Sequence, residues 1–373
     1  MSFVCVSYTY DLSRTLQWNM CNHFRRKPNH IFVWNEFLLK PLRLATQSNT
    51  WMLPIIHGYY ETKICSIYGR EVTLTLISRR SKQFAGTRYL KRGINDLGHS
   101  ANDIETEQVL HDRVGGDHFE GQFSSHVQMR ASIPLFWVQD SNPMVPKPDI
   151  YIQKVDPSCA SIRKHFQSVF KRYGAPVLAL NLIKHQESHA REVIVGKEFG
   201  RAMSFINSFL PKDYKISFIA WDFKDCQRHK ARSVVDELTK FAEWGIQRTG
   251  FFHSNPKPQA LSAFARRTHD ISPDDPDVQP VRYEDSDEFK AAEGDGTFDA
   301  ATSPPHQQPH EKAAPQRDAG PTVFNIPESV LLRAFCRRKK SKRRIYDLGC
   351  FQKGVMRANC IDSLDRTNVA QVT

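Results

Sequence analysis

Between residues 157 and 253 the apolar side chains change period again and again, and this alternation constrains the fold more than any other feature. Ile162, Phe166, Val169, Phe170 and Tyr173 fall on one helical face, with Gly174 placed to end the helix. Pro176 to Ile183 is a short apolar run that reads as a buried strand. Helical spacing returns over 187–209 through Phe199, Met203 and Ile206, and Pro211 stops it. Residues 214–223 are strand-like, and 229–248 are helical again through Val234, Leu238, Phe241 and Trp244. Helix, strand, helix, strand, helix predicts an α/β layer with parallel strands, because parallel neighbours need a crossover between them.

The upstream half reads differently. Glu71 to Leu76 alternates polar and apolar after a turn signal at Tyr68-Gly69-Arg70, and Asn95-Asp96-Leu97-Gly98 is a second turn signal. Val127 to Val138 is a further strand interrupted at Pro134, so residues 54–138 are expected to be β-rich. Residues 254 to about 330 hold 11 of the chain's 21 prolines among Asp, Glu, Gln, Ala and Gly. Such a stretch buries too little apolar surface to offset its ordering entropy, which predicts a disordered insertion. Pro327 to Phe335 regains a helical pattern, and Arg337 to Arg344 then carries seven positive charges in eight residues. That run reads as a solvated tail, or as a ligand for anionic headgroups or an import receptor.

With 40% hydrophobic and 25% charged residues, the 373-residue chain is globular in composition and long enough for two domains. Its net charge of +12 calls for an anionic partner: nucleic acid, an acidic membrane surface or a phosphorylated substrate. The eight cysteines are dispersed, without a Cys-x-x-Cys pair or zinc spacing, which favours reduced thiols. The first residues lack the pattern of a secretory signal, and no apolar run reaches the ~18 residues of a membrane span, so any membrane contact is expected to be peripheral. Arg79, Arg80, Arg88, Lys91 and Arg92 read as a basic rim for a headgroup or membrane, or as a charged hairpin face in water. Asn102, Asp103, Glu105 and Glu107 suit a metal less well than ion pairing with a neighbouring basic segment. His57 and His126 have no partner at ligand spacing, and Trp137 and Trp221 read as core.

The chemistry is concentrated near the C-terminus, where Cys360 and Arg366 are separated by five residues. A thiolate can cleave a phosphomonoester if backbone N–H groups and a planar cation hold the phosphate oxygens, because the transition state spreads negative charge. A short loop that opens a helix supplies those amides and the positive helix end; here they belong to Ile361, Ser363, Leu364, Thr367 and Asn368. The same field and Arg366 are expected to depress the Cys360 thiol well below the ordinary ~8.5. Asp362 and Asp365 are the in-loop candidates for the acid that protonates the leaving oxygen and later activates water, and spacing does not choose between them. Neither a metal nor another cofactor follows from this chemistry.

The full string Arg357-Ala358-Asn359-Cys360-Ile361-Asp362-Ser363-Leu364-Asp365-Arg366-Thr367-Asn368 resembles the signature of the Sac-domain polyphosphoinositide phosphatases. Ser7 to Leu12, Phe32 to Asn35, Pro54 to Gly58, Phe84 to Gly93, Ala101 to Glu107 and Ser132 to Trp137 look like landmarks of the same domain. Lys147 to Ile150, Phe209-Leu210-Pro211 and Thr249 to Phe252 are most similar to the subgroup that removes the 5-phosphate of phosphatidylinositol 3,5-bisphosphate on vacuolar and late endosomal membranes.

The resemblance implies a Cys360 nucleophile forming a cysteinyl-phosphate, an Arg366 clamp, Asp362 or Asp365 as acid, and a scaffold protein and a phosphoinositide kinase as partners. It also implies a layout: a β-rich N-terminal Sac subdomain over 1–146 and an α/β Cys-x5-Arg phosphatase domain starting at 147–253. A disordered insertion over 254–345 interrupts that domain, and 346–373 completes it with the phosphate loop and the start of a helix. Departures are Ser363 where the subgroup has a second Cys, Ala358 where it has Thr, the length of the insertion, and apparent truncation at both ends. Two other classes compete. One is an inactive truncated scaffold for a lipid-kinase complex; the other is a nucleic-acid binder, which rests on charge alone.

Overall fold

The computed structural model describes residues 3–7, 10–21, 28–47, 52–87, 90–112, 121–139, 148–187, 191–228, 233–254, 351–361 and 365–372. The predicted insertion, the basic run, Arg88, Asp362, Ser363 and Leu364 lie outside the described residues.

The strands are β1 (Phe3–Cys5), β2 (Ile56–Ile67), β3 (Arg70–Arg80), β4 (Ile104–Asp112), β5 (Gln122–Ser132), β6 (Trp137–Gln139), β7 (Ile150–Ile152), β8 (Val177–Asn181), β9 (Ser217–Ala220), β10 (Phe252–His253) and β11 (Val355–Cys360). The helices are α1 (Leu16–Cys21), α2 (Glu36–Thr46), α3 (Ala160–Tyr173), α4 (Glu192–Phe209), α5 (Phe223–Arg228), α6 (Val234–Thr249) and α7 (Asp365–Val372). Among the described residues nine strands share one sheet, in the order β1-β2-β3-β4-β5-β11-β8-β9, with β10 added beside β5. The fold is mixed α/β, as expected.

The β2–β3 hairpin turns at Tyr68 and Gly69, whose φ values of 50° and 78° suit a tight two-residue turn between twisted strands. Antiparallel pairing runs from β1 to β5, while β5, β11, β8 and β9 are mutually parallel. Every residue of β8 and β11 is buried, as parallel strands covered on both faces require. Helix α4 is the crossover from β8 to β9. Gly354 opens β11 at φ 83°, where a Cβ would lie 1.9 Å from the Pro176 carbonyl oxygen, so no larger residue fits.

The expected elements are present with shifted ends. The helix expected over 187–209 begins at Glu192, because Glu187 Oε2 accepts from the Arg191 and Glu192 amides and caps it there. The 214–223 strand shortens to β9 because residues 212–214 form a 3₁₀ turn after Pro211. The strand expected over 127–138 splits at Pro134 into the end of β5 and the short β6. Gly174 ends α3 as anticipated, at φ 81°.

Arg79 corrects the basic-rim reading, and the water-facing one too. Its side chain is fully buried, donating to Glu105 Oε1 at 2.9 Å, Glu107 Oε2 at 2.5 Å, and the carbonyls of Leu12 and Arg14. β3–β4 register sets Arg79 opposite Glu105, so Glu105 and Glu107, two of the carboxylates considered for a metal, are cross-strand partners of a buried cation. Helix α3 adds Arg172 on Asp103 at 2.9 Å and the Tyr173 hydroxyl on Glu105 at 2.5 Å.

The same helix supplies His165, whose Nδ1–H donates to the Gly98 carbonyl while Nε2 accepts from Arg357 Nε at 3.1 Å. Burial, and then the Arg357 charge, hold His165 well below the ordinary histidine range. Burial likewise pulls Arg357 down to about 9.

Removing the Arg79 side chain strands two buried carboxylates. Arg79→Ala is therefore expected to destabilise the fold by about 3–5 kcal/mol, read by urea denaturation. The His165 contribution runs with pH in a defined direction. Folding favours its neutral form, so the stabilisation is complete above the unfolded value of about 6.5 and is lost as pH falls below it. Melting temperatures measured down to pH 5 should fall more steeply for the native protein than for His165→Asn.

Candidate active site at the carboxyl ends of the parallel strands

β5, β11, β8 and β9 all run the same way, so the segments that follow them gather at one end of the sheet. In open α/β sheets this is where ligands bind. Cys360 is the last residue of β11, in register with Ser132 at the end of β5. It is 3% exposed and packs with Leu180, Leu182, Leu238, Ala358 and Ala370. Five residues later the chain enters α7, with Asp365 exposed at its first position and Arg366 at its second. Thr367 is fully buried, Ile361 is 8% exposed, and Asn368 faces solvent.

The Arg366 guanidinium is held by three hydrogen bonds. Nη1 donates to Glu192 Oε2 at 2.7 Å and to the Leu182 carbonyl at 3.0 Å, and Nη2 donates to Glu192 Oε1 at 2.8 Å. Burial alone would lower its pKa, but Glu192, then an ionised Cys360 and Asp222, push it up. Burial would raise Glu192, but its bonds and charge contact with Arg366 hold it below the usual carboxylate range.

Glu192 is itself fixed. It is the first residue of α4, and its Oε2 accepts the Lys184 amide at 3.1 Å. The neighbouring loop is tied down by Asp222, which accepts from the amides of His185, Lys224 and Asp225.

Arg130 is a second cation that acts on Cys360. It projects from β5 opposite Ala358; burial lowers its pKa, and the charge of an ionised Cys360 opposes that shift. By reciprocity, two guanidinia favour the thiolate form of Cys360.

Neither Arg130 nor Glu192 was singled out from the sequence. Arg130 sits in an alternating strand where an arginine reads as solvent-facing, and Glu192 reads as an ordinary acid in the first turn of a helix. Of the other sequence candidates, Lys91 is exposed with its Nζ 5.0 Å from the centre of the Phe84 ring. Arg92 is half-buried with its guanidinium 5.5 Å from the centre of the Trp137 ring, so it turns inward.

Residues 2–228 match the family described as SacI homology domain. An Arabidopsis thaliana protein named phosphatidylinositol-3-phosphatase SAC1 is 36% identical over 98% of this chain and 37% of its own length. The Arabidopsis thaliana phosphoinositide phosphatase SAC4 is also 36% identical, over 98% of this chain and 40% of its own. A Schizosaccharomyces pombe polyphosphoinositide phosphatase is 38% identical over 66% of this chain and 30% of its own. The chain thus spans about 40% or less of the length of these relatives.

Proposed function

Since this chain belongs to the SacI homology domain family, we propose that it is a phosphoinositide phosphatase in which Cys360 is the nucleophile and Arg366 holds the phosphate. The observation that carries this reading is the pairing of a buried thiol at the end of β11 with a guanidinium anchored at the start of α7. An ionised Cys360 interacts electrostatically with that guanidinium and with Arg130.

In the first step the Cys360 sulfur attacks phosphorus. The S–P bond forms, the P–O bond to the inositol ring breaks, and the leaving oxygen takes a proton from Asp362 or Asp365. In the second, water deprotonated by the same carboxylate displaces the sulfur and releases inorganic phosphate. The start of α7 directs its amides and its positive end toward the charge that develops.

Donor arithmetic gives Glu192 a part in this. A guanidinium has five N–H donors. Both Nη1 hydrogens and one on Nη2 are spent on Glu192 and Leu182, which leaves Nε–H and the second Nη2–H. Those two lie parallel on one edge, the geometry that grips two phosphoryl oxygens. Glu192 therefore orients the clamp without occupying its binding edge.

The motifs at Lys147 to Ile150, Phe209 to Pro211 and Thr249 to Phe252 favour the 5-phosphate of phosphatidylinositol 3,5-bisphosphate as substrate. They also favour a vacuolar or late endosomal setting, with a kinase and scaffold as partners. One relative is named a 3-phosphatase, so the assay has to resolve ring positions.

Phosphate release from phosphatidylinositol 3,5-bisphosphate, with the product identified by headgroup chromatography, is expected to vanish in Cys360→Ser. Equal rates in variant and native protein would refute the nucleophile assignment. Glu192→Gln keeps a hydrogen-bonding side chain but loses the charge and one of the two acceptors. It should lower kcat/KM by about tenfold to a hundredfold, with Glu192→Asp intermediate and the thermal midpoint of Glu192→Gln close to native.

A further inference from the structure

Helix α2 carries its apolar residues on the outside. At about 100° per residue, Phe37, Leu38, Pro41, Leu42, Leu44 and Ala45 fall within an arc of roughly 160°. Their exposure is not marginal: Phe37 is 86% exposed, Leu44 74%, Leu38 67% and Leu42 53%. The helix is anchored by its opposite side. Leu39 packs with Val33 and Met52, Glu36 pairs with Lys82 and His30, and Trp34 Nε1 donates to the Arg80 carbonyl. Lys40 borders this arc on the helix, and Lys91 stands in the β3–β4 connection, where the adjacent Leu90 is 74% exposed.

Register places this surface. Gly58, Arg79, Glu105, Met129 and Arg357 form one row across β2, β3, β4, β5 and β11. The connection into β2, the end of β3, the start of β4 and Cys360 all lie beyond that row on one side. Helix α2 and Leu90 thus stand at the same end of the sheet as the candidate active site, about 20 Å away across four strand spacings.

We propose that the outer face of α2, together with Leu90 and Lys91 at the same end of the sheet, docks on the surface of a bilayer rich in anionic lipid. The inference rests on the reading of the substrate as a lipid. An enzyme acting on a headgroup must turn its active-site end to the membrane, and this end presents apolar side chains together with Lys40 and Lys91. Eleven residues of helix span about 16 Å, too short to cross a bilayer and suited to lying in its interface. Lys40 at the edge of the face, with Lys91 at the same end of the sheet, complements acidic headgroups, whereas a face buried in a protein partner needs no such cations.

Vesicle flotation of the full chain tests the proposal, using phosphatidylcholine vesicles with and without phosphatidylserine and no phosphoinositide, so that the phosphate site contributes nothing. Leu38→Glu with Leu42→Glu should bind at least about tenfold more weakly, since two inserted side chains are lost. Lys40→Ala should weaken binding about fivefold on phosphatidylserine vesicles and leave phosphatidylcholine vesicles unaffected.

The Leu38→Glu, Leu42→Glu variant should hydrolyse a short-chain, water-soluble phosphoinositide at the native rate but fail on the same headgroup in vesicles. Native flotation by that variant overturns the proposal. So does a native dimer that becomes monomeric in the variant by light scattering, because the face then pairs two copies. If neither protein hydrolyses the soluble substrate while flotation still depends on Leu38 and Leu42, the docking face stands and the catalytic reading falls.

Discussion

The arrangement depends on β11, a strand that comes late in the chain yet lies between β5 and β8 and pairs with both. All six of its residues are buried, so its register decides what each face of the sheet contains. A slip of one residue would turn Cys360 away from the face that carries Arg130 and α6 and bring Arg357 onto that face. Arg357 opposes that slip. Its Nε reaches His165 on α3 and its Nη2 reaches the Ser132 carbonyl, contacts available only from one face and one height. The position of the candidate nucleophile is thereby tied to a cation three residues earlier on the opposite side of the sheet.

That opposite side carries an unusual density of buried charge. Arg79, Glu105, Glu107, Asp103, Arg172 and Arg357 are linked through Tyr173, His165 and backbone carbonyls. Burial of such groups is costly, and apolar replacements of equal volume would serve stability as well or better. What the network supplies is geometry: Arg79 and Glu107 fix the segment leading into α1 to the sheet, and Asp103 and Glu105 fix α3. Arg357 is the extreme case, a buried guanidinium that bonds no carboxylate among the described residues, whose depressed pKa records the cost of holding it there.

Much of this was legible in sequence. The period changes after residue 157 marked α3, β8, α4, β9 and α6, because each buries one apolar stripe. Cys360 and Arg366 were singled out by the full string of residues 357–368 rather than by their spacing alone. Helix α2 escaped because its apolar residues face outward and Pro41 sits inside it, so periodicity predicts no buried stripe. Arg79 was misread because a basic doublet normally means solvent, and its partners become visible only once β3 is set against β4. Glu192 stands 174 residues from Arg366, beyond the reach of any local pattern.

Glu192 also bears on how the site attracts its ligand. By neutralising Arg366 it removes one positive charge from the neighbourhood of Cys360, which weakens long-range attraction for a phosphate dianion. In exchange it fixes a long side chain that would otherwise lose rotamer freedom on binding. Arg130 also contributes positive field near the sulfur. On the proposed reading such a site discriminates by shape more than by charge, which a membrane-borne substrate permits if the encounter is secured elsewhere. On the proposed docking, the apolar face of α2, four strand spacings away at the same end of the sheet, would secure it.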